Sequence, residues 1–197
     1  MSRTHTPAKS RLQTLASNPA LIALTLAALA PRPGEHLWDI GAGSGSVGLE
    51  AARLCRNGHV YAIEKNADDA AIVQRNRLAM GISNHTLLHG KAPEGLQDWA
   101  DPDAVFVGGS GGELAELIAL ILQRLKPQGW LVMNFVTIEN LGAAVDSLKR
   151  LGANWDLLQL QASRSKPILH MHRMAAENPV WIVCAQRGEG AAQGALV

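Results

Sequence analysis

The segment Leu37-Trp38-Asp39-Ile40-Gly41-Ala42-Gly43-Ser44-Gly45 constrains the fold most. An apolar run leads directly into three glycines at alternate positions. A helical pattern, Val47–Cys55, begins just after them. Glycine lacks a Cβ, so the backbone there can turn tightly and approach a ligand closely. The helix that follows directs unpaired N–H groups at the turn, which suits a carboxylate or a phosphate. A strand, a glycine turn and a helix in this order open a doubly wound α/β sheet.

The rest of the chain repeats that alternation. Apolar runs at His36–Ile40, Val60–Ile63, Thr86–Leu88, Ala104–Val107 and Leu131–Val136 read as strands. Helical patterns at Val47–Cys55, Asp68–Met80, Glu113–Leu125 and Leu141–Leu151 separate them. This predicts βαβ units and a parallel sheet buried on both faces. Two further strands, Trp155–Gln161 and Val180–Ala185, have no long helix between them and suit an antiparallel pair at the end of the sheet. Before the glycine turn, Ser17 or Asn18 caps a helix from Pro19 to about Ala30, which Pro31, Pro33 and Gly34 then break.

A chain of 197 residues suits one domain. The expected organisation is a flexible arm over 1–16, one domain over 17–187 and a disordered Gly- and Ala-rich tail over 188–197. The formal net charge of +1 makes no global case for nucleic acid or an anionic membrane. The apolar run Ala20–Ala30 after a basic start superficially resembles a secretory signal, but Pro31 would block cleavage and the run is too short to span a bilayer. Cys55 and Cys184 lie in apolar stretches and in no metal-ligand spacing, so they read as packing residues in a reducing, cytoplasmic setting.

Two nucleotide chemistries compete for the glycine turn. Gly43-x-Gly45-x-x-Gly48 fits a dinucleotide fingerprint, with Glu64 at the distance of a ribose contact. Asp39 two residues before Gly41 gives Asp-x-Gly-x-Gly-x-Gly instead, counted from the strand end. Together with the antiparallel ending, this favours S-adenosylmethionine over a nicotinamide cofactor. The expected cofactor residues are Asp39, Gly41, Ala42, Gly43, Ser44 and Gly45, with Glu64 accepting from the ribose hydroxyls and Asp39 orienting the loop or meeting the methionine amino group. Ala92, in the turn after the third strand, falls where an adenine ring would lie.

Further motifs carry a family resemblance. The fourth strand ends in Gly108-Gly109-Ser110-Gly111-Gly112, where many methyltransferases acting on DNA, RNA or glutamine have an Asn/Asp-Pro-Pro-Tyr-like segment. With Asn134-Phe135-Val136-Thr137-Ile138-Glu139, Ser163-Arg164-Ser165-Lys166-Pro167 and Glu177-Asn178-Pro179-Val180, the chain resembles the decarboxylating precorrin methyltransferases of cobalamin biosynthesis, from about Leu24 to Arg187. The resemblance implies a Rossmann-like class I S-adenosylmethionine-dependent methyltransferase fold, with a seven-stranded, mostly parallel sheet and an antiparallel C-terminal strand. It also implies methyl transfer to carbon 15 of a corrin precursor, loss of carbon dioxide from the ring C acetate, and a homotetramer. A carbon-5 methyltransferase is a fused or separate partner in that family. Ser17 matches a cofactor-touching threonine. The family's Thr-Lys-x-Glu-Val-Arg reads Ser17-Asn18-Pro19-Ala20-Leu21-Ile22 here, which keeps the hydroxyl and lacks the Lys, Glu and Arg.

A polycarboxylate macrocycle needs a wide site rimmed with cations. The glycines Gly108, Gly109 and Gly111, with Ser110, would admit a large planar substrate to the methyl group. The Ser163–Met174 segment, read as a loop, offers Arg164, Lys166, His170, His172 and Arg173 with no acid among them. His170-x-His172 has no evident third ligand, so no metal is expected. Two other readings remain at this point: an S-adenosylmethionine-dependent methyltransferase on RNA or another small molecule, against which the near-neutral charge and the missing aromatic platform count, and a cofactor-binding subunit without catalysis.

Overall fold

The computed structural model describes residues 18–109 and 112–188. The expectations placed on 1–16, Ser17, Ser110, Gly111 and 189–197 fall outside the described residues. Gly188, placed at the head of the expected tail, is buried.

The elements alternate as the sequence predicts: α1 (Pro19–Leu29), β1 (His36–Ile40), α2 (Ser46–Leu54), β2 (His59–Glu64), α3 (Ala67–Ala79), β3 (His85–His89), β4 (Ala104–Val107), α4 (Leu114–Arg124), β5 (Trp130–Phe135) and α5 (Ile138–Arg150). Then come β6 (Asn154–Leu160), β7 (Ser163–Ile168), β8 (Met171–Ala176) and β9 (Val180–Gln186). Seven strands form one sheet in the order β3-β2-β1-β4-β5-β9-β6. All pairs from β3 to β5 are parallel, while β9 runs antiparallel between β5 and β6. The expected terminal pair therefore exists, but β9 enters between β5 and β6 and leaves β6 as the edge.

Alternation along the strands assigns the two faces. Trp38, Ile40, Ile63, Val105, Val107, Leu131 and Met133 pack with α4 and α5 on one side. Leu37, Val60, Ala104, Phe106, Val132 and Ile182 pack with α1 and α2 on the other. Each such side chain, fully buried, contributes about 1.5–3 kcal/mol, so the central strands are held from both sides. Asn18 proves to be the cap of α1: its side chain accepts the Ala20 N–H at 2.9 Å, with Pro19 in the first turn. The helix α5 begins at Ile138, three residues before the expected Leu141. That first turn is exposed, so it lacks the apolar period that marks the rest of the helix.

The basic segment is corrected more substantially. Ser163–Met174 is no loop but most of an antiparallel hairpin, β7–β8, forming its own two-stranded sheet. Every residue of β7 is exposed, so no buried face marked it as a strand. Pro167 is tolerated because a two-stranded ribbon has edges on both sides. The expectation that its cations lack a compensating acid also fails. Arg164 Nε lies 2.6 Å from Glu177 Oε1, just after β8, and Arg164 Nη2 donates to Asn18 Oδ1 at 3.3 Å. Asn18 Nδ2 in turn donates to Glu177, which ties the foot of the hairpin to the start of α1.

Candidate active site

Four strand ends line up at the carboxyl edge of the sheet. Ile40 pairs with both Ile63 and Val107, and Val107 pairs with Met133. The next residue of each strand, Glu64, Gly41, Gly108 and Asn134, therefore falls in one row across β2, β1, β4 and β5. Open α/β sheets bind ligands at this edge, where the strand order reverses, here between β1 and β4.

The centre of the row is backbone only. Gly41 has φ +71°, and a Cβ there would sit 2.5 Å from the Gly109 carbonyl oxygen. The turns after β1 and β4 thus approach as closely as main chain allows. Beneath them Asp39 is 2% exposed. Its Oδ2 accepts the Gly48 N–H at 3.0 Å, holding the first turn of α2 against the strand. A Cβ at Gly48 would fall 2.3 Å from that oxygen. Asp39 Oδ1 is buried without a hydrogen-bond partner among the described residues. Burial pushes the Asp39 carboxyl up to about 7; the Gly48 N–H offsets part of the rise, and the Glu64 charge adds to it.

Glu64 is 7% exposed and clamps the loop from the side. Its Oε2 accepts the Gly43 N–H at 2.8 Å, and its Oε1 accepts the Asn66 N–H at 2.8 Å. Each carboxylate oxygen has a second lone pair, so the clamp leaves acceptor capacity for a ligand. Asn76 Nδ2, from α3, donates to the Ser44 carbonyl at 2.9 Å and holds the far side of the loop.

Two cavities meet at this row and share Gly41 and Gly108. The smaller, about 210 Å³, is walled by Ile63, Glu64, Lys65, Gly90, Lys91, Ala92 and Gly109. Lys91 reaches Glu113 at 2.7 Å beyond the glycine segment. The larger, about 530 Å³, extends under α1 and is lined by Leu21, Ile22, Phe106, Asn134, Val136 and Val180 as well as Ala42, Gly43 and Ser44. The structure thus gathers Gly41, Ala42, Gly43, Ser44, Glu64, Ala92, Gly108 and Gly109 around connected space. Gly45 and Asp39 lie behind the loop: Gly45 is buried at the start of α2. Arg164, Lys166, His170 and Arg173 stand on the exposed hairpin and line neither cavity. Asn134, Val136 and Val180 were quoted in motifs and Phe106 was placed in a strand at the level of sequence, none of them with a role, and Thr25 was passed over. The one available signal was a polar residue inside the apolar run Leu131–Val136.

The residues present fit S-adenosylmethionine. The glycine turn offers main-chain groups where a Cβ would collide, and Glu64 supplies the acceptor on the wall of the smaller cavity. Asp39 keeps an oxygen behind the loop that has no partner among the described residues.

Comparison with known proteins agrees. Residues 16–187 match the precorrin methyltransferase domain family. The cobalt-precorrin-6B C(15)-methyltransferase (decarboxylating) of Salmonella typhimurium is 40% identical over 171 residues, 86% of this chain and 88% of the relative. The precorrin-6Y C(5,15)-methyltransferase (decarboxylating) of a Sinorhizobium species is 41% identical over 146 residues, 74% of this chain but 35% of that longer protein. The crystal structure of precorrin-6y C5,15-methyltransferase from Geobacter metallireducens superposes with a TM-score of 0.83 at 37% identity, covering 88% of this chain and 90% of that one. The chain thus belongs to the precorrin methyltransferase domain family, enzymes that take their methyl group from S-adenosylmethionine.

Proposed function

We propose that this protein methylates carbon 15 of a precorrin or cobalt-precorrin in cobalamin biosynthesis, with loss of carbon dioxide from the ring C acetate. The observation that carries the reading is the opening at Gly109. A Cβ built there meets nothing within 4 Å, and the residue borders the cavity that Glu64 also lines. A flat macrocycle can therefore approach the cofactor without displacing a side chain. The activities in the names of the relatives supply the substrate class.

In this reading Gly41 to Gly45, Glu64 and Ala92 hold the cofactor, and Ser17 joins them from the start of the first helix. Bound there, S-adenosylmethionine supplies an electrophilic methyl group on a sulfonium. Glu64 accepts from the ribose and Asp39 keeps the loop in place. Gly108 to Gly111 face the macrocycle, and the walls of the larger cavity exclude water and orient the nucleophilic carbon. Arg164, Lys166, His170 and Arg173 serve the substrate's carboxylates. Lys166 stands opposite Arg173 in the hairpin register. Like charges directly across a strand pair destabilise it, so an anionic partner would relieve the pair. Arg164→Ala also breaks the bond to Glu177, whereas Lys166→Ala tests the rim directly. It should raise KM for the tetrapyrrole about tenfold at low salt, less at high salt, with the cofactor constant unchanged.

Assembly and setting belong to the same proposal. Trp155, Leu157 and Leu158 on the edge strand and Ile168, Leu169, Met171 and Met174 on the hairpin are exposed. Such apolar surface favours self-association, and we take the assembly to be a homotetramer; sedimentation of the purified protein checks it. A separate carbon-5 precorrin methyltransferase would act alongside it, as the longer relative's name joins both positions. Among the described residues no helix is long and apolar enough to cross a membrane, and the free cysteines Cys55 and Cys184 suit the cytoplasm.

The deciding experiment incubates the protein with S-adenosylmethionine and either cobalt-precorrin-6B or its metal-free counterpart, followed by mass spectrometry. Gain of one methyl and loss of one carbon dioxide is expected with one of the two. Absence of methyl transfer to both would overturn the reading.

A further inference from the structure

Asn134 closes the row at the end opposite Glu64. The side chains around it on this face, Val132, Phe106 and Ile182, are apolar and buried. An amide in such a layer lowers stability unless both of its ends are bonded. Only one is. Asn134 Nδ2 donates to Thr25 Oγ1 at 2.9 Å, and Thr25, on α1, is 0% exposed. Asn134 Oδ1 is buried with no partner among the described residues. A leucine would fill this layer without an orphaned acceptor, so packing does not account for the amide. The residue lines the larger cavity beside Gly108 and Val136.

We propose that Asn134 contacts the substrate in the methyl-transfer step, its amide oxygen lying against the conjugated part of the tetrapyrrole that turns positive as its carbon is methylated. The inference rests on the tetrapyrrole reading above. An enamine carbon gives its π pair to the new carbon–carbon bond, while the pair of the broken sulfur–carbon bond stays on sulfur. The conjugated nitrogen becomes more positive, whether it carries a proton or a metal. An acceptor placed there binds the transition state more tightly than the ground state, which is what accelerates a step. Two glycines separate Asn134 from Glu64, and adjacent strands lie about 4.8 Å apart. The amide therefore serves whatever lies over Gly108 on the side away from the ribose acceptor. Oδ1 is buried in this structure, so the contact requires the side chain to turn toward the cavity that the residue lines. Thr25 is a positioning residue that holds the amide from behind.

Asn134→Leu and Asn134→Asp separate the alternatives when kcat and KM for the tetrapyrrole, S-adenosylhomocysteine affinity by calorimetry and the melting temperature are measured on the full chain. Leucine should lower kcat about tenfold or more, since an interaction made mainly in the transition state is lost. KM and the homocysteine-adduct affinity should stay within about twofold, and the melting temperature should change little, because the orphaned Asn134 oxygen is removed while Thr25 Oγ1 loses its donor. Aspartate, which keeps the acceptor, should restore much of kcat. A fall in adduct affinity as large as the fall in turnover would assign the amide to the cofactor and overturn the inference. A lowered melting temperature with unchanged kcat would make it structural and do the same. A wild-type protein that turns over neither tetrapyrrole brings down the substrate reading itself, whereas an active wild type with an equally active leucine variant removes only Asn134.

Discussion

The two ends of the parallel sheet each bury an ionisable side chain, and they use it differently. At the carboxyl end Asp39 is 2% exposed, with one oxygen unpartnered among the described residues; at the amino end His85, opening β3, is 2% exposed, with both ring nitrogens likewise unpartnered among the described residues. Around Asp39 the main chain turns away in glycines and two cavities open above it. His85 lines neither cavity, and Arg77 closes over it by donating to its carbonyl at 3.4 Å. Burial pushes the His85 imidazole down to about 4, with Arg77 and His59 adding to the fall. An orphaned polar group thus marks a site where the backbone leaves room for a ligand, and a tolerated cost of packing where it does not.

The harshest test of the carboxyl end is Gly41→Ala. The new Cβ would need φ +71° and would meet the Gly109 carbonyl at 2.5 Å. A left-handed residue and a main-chain collision together should cost about 3 kcal/mol or more and abolish measurable S-adenosylhomocysteine binding. Near-normal melting and binding would show that the two turns can part.

The pH dependence of stability separates the two ends with opposite signs. The folded pKa of Asp39, about 7, lies above the ordinary aspartate value of 3.8. Its contribution is present below 3.8 and lost as pH rises through about 7. The folded pKa of His85, about 4, lies below the ordinary histidine value of 6.5. Its contribution is present above 6.5 and lost as pH falls through about 4. Between these limits the two oppose each other in the apo-protein. Urea unfolding of His85→Phe, relative to wild type, should gain stability by roughly 3 kcal/mol as pH falls from 6.5 to 4. Asp39→Asn, relative to wild type, should gain by roughly 4 kcal/mol as pH rises from 4 to 7. Variant curves parallel to the wild type would place both groups outside the linkage.

Smaller effects sharpen the carboxyl end itself. Glu64→Ala releases the Gly43 and Asn66 N–H groups and should weaken S-adenosylhomocysteine binding by about 1–3 kcal/mol, with little change at the amino end. Gly109→Leu should be the mildest for the fold, because its Cβ meets nothing within 4 Å. Melting should shift by less than about 0.5 kcal/mol in equivalent stability, while tetrapyrrole turnover drops. If it unfolded the protein instead, the glycine segment would be structural and not a face for the substrate.

Much of this molecule is legible from local pattern. The β1 strand, the Asp39 to Gly45 turn and Glu64 at the end of β2 were readable because a strand, a turn and a helix close in sequence specify one another through backbone sterics. The hairpin β7–β8 was not. With every position of β7 solvated, no period of burial distinguished it from a loop, and Pro167 argued against a strand. Asn134 was visible as a polar residue in an apolar run and as part of a motif, but without a role. Its meaning needed Thr25, 109 residues away, and the cavity wall it shares with Gly108.

By itself the sequence determined the parallel sheet, the glycine turn and the chemistry of the cofactor, because these depend on apolar period and on residues within one βαβ unit. Tertiary structure decided where β9 inserts, that Arg164 meets Glu177 and Asn18, and that Glu64, Gly41, Gly108 and Asn134 share a row. Those relations join strands and loops far apart in the chain. Strand order and sheet register bring them together, and no local preference encodes either.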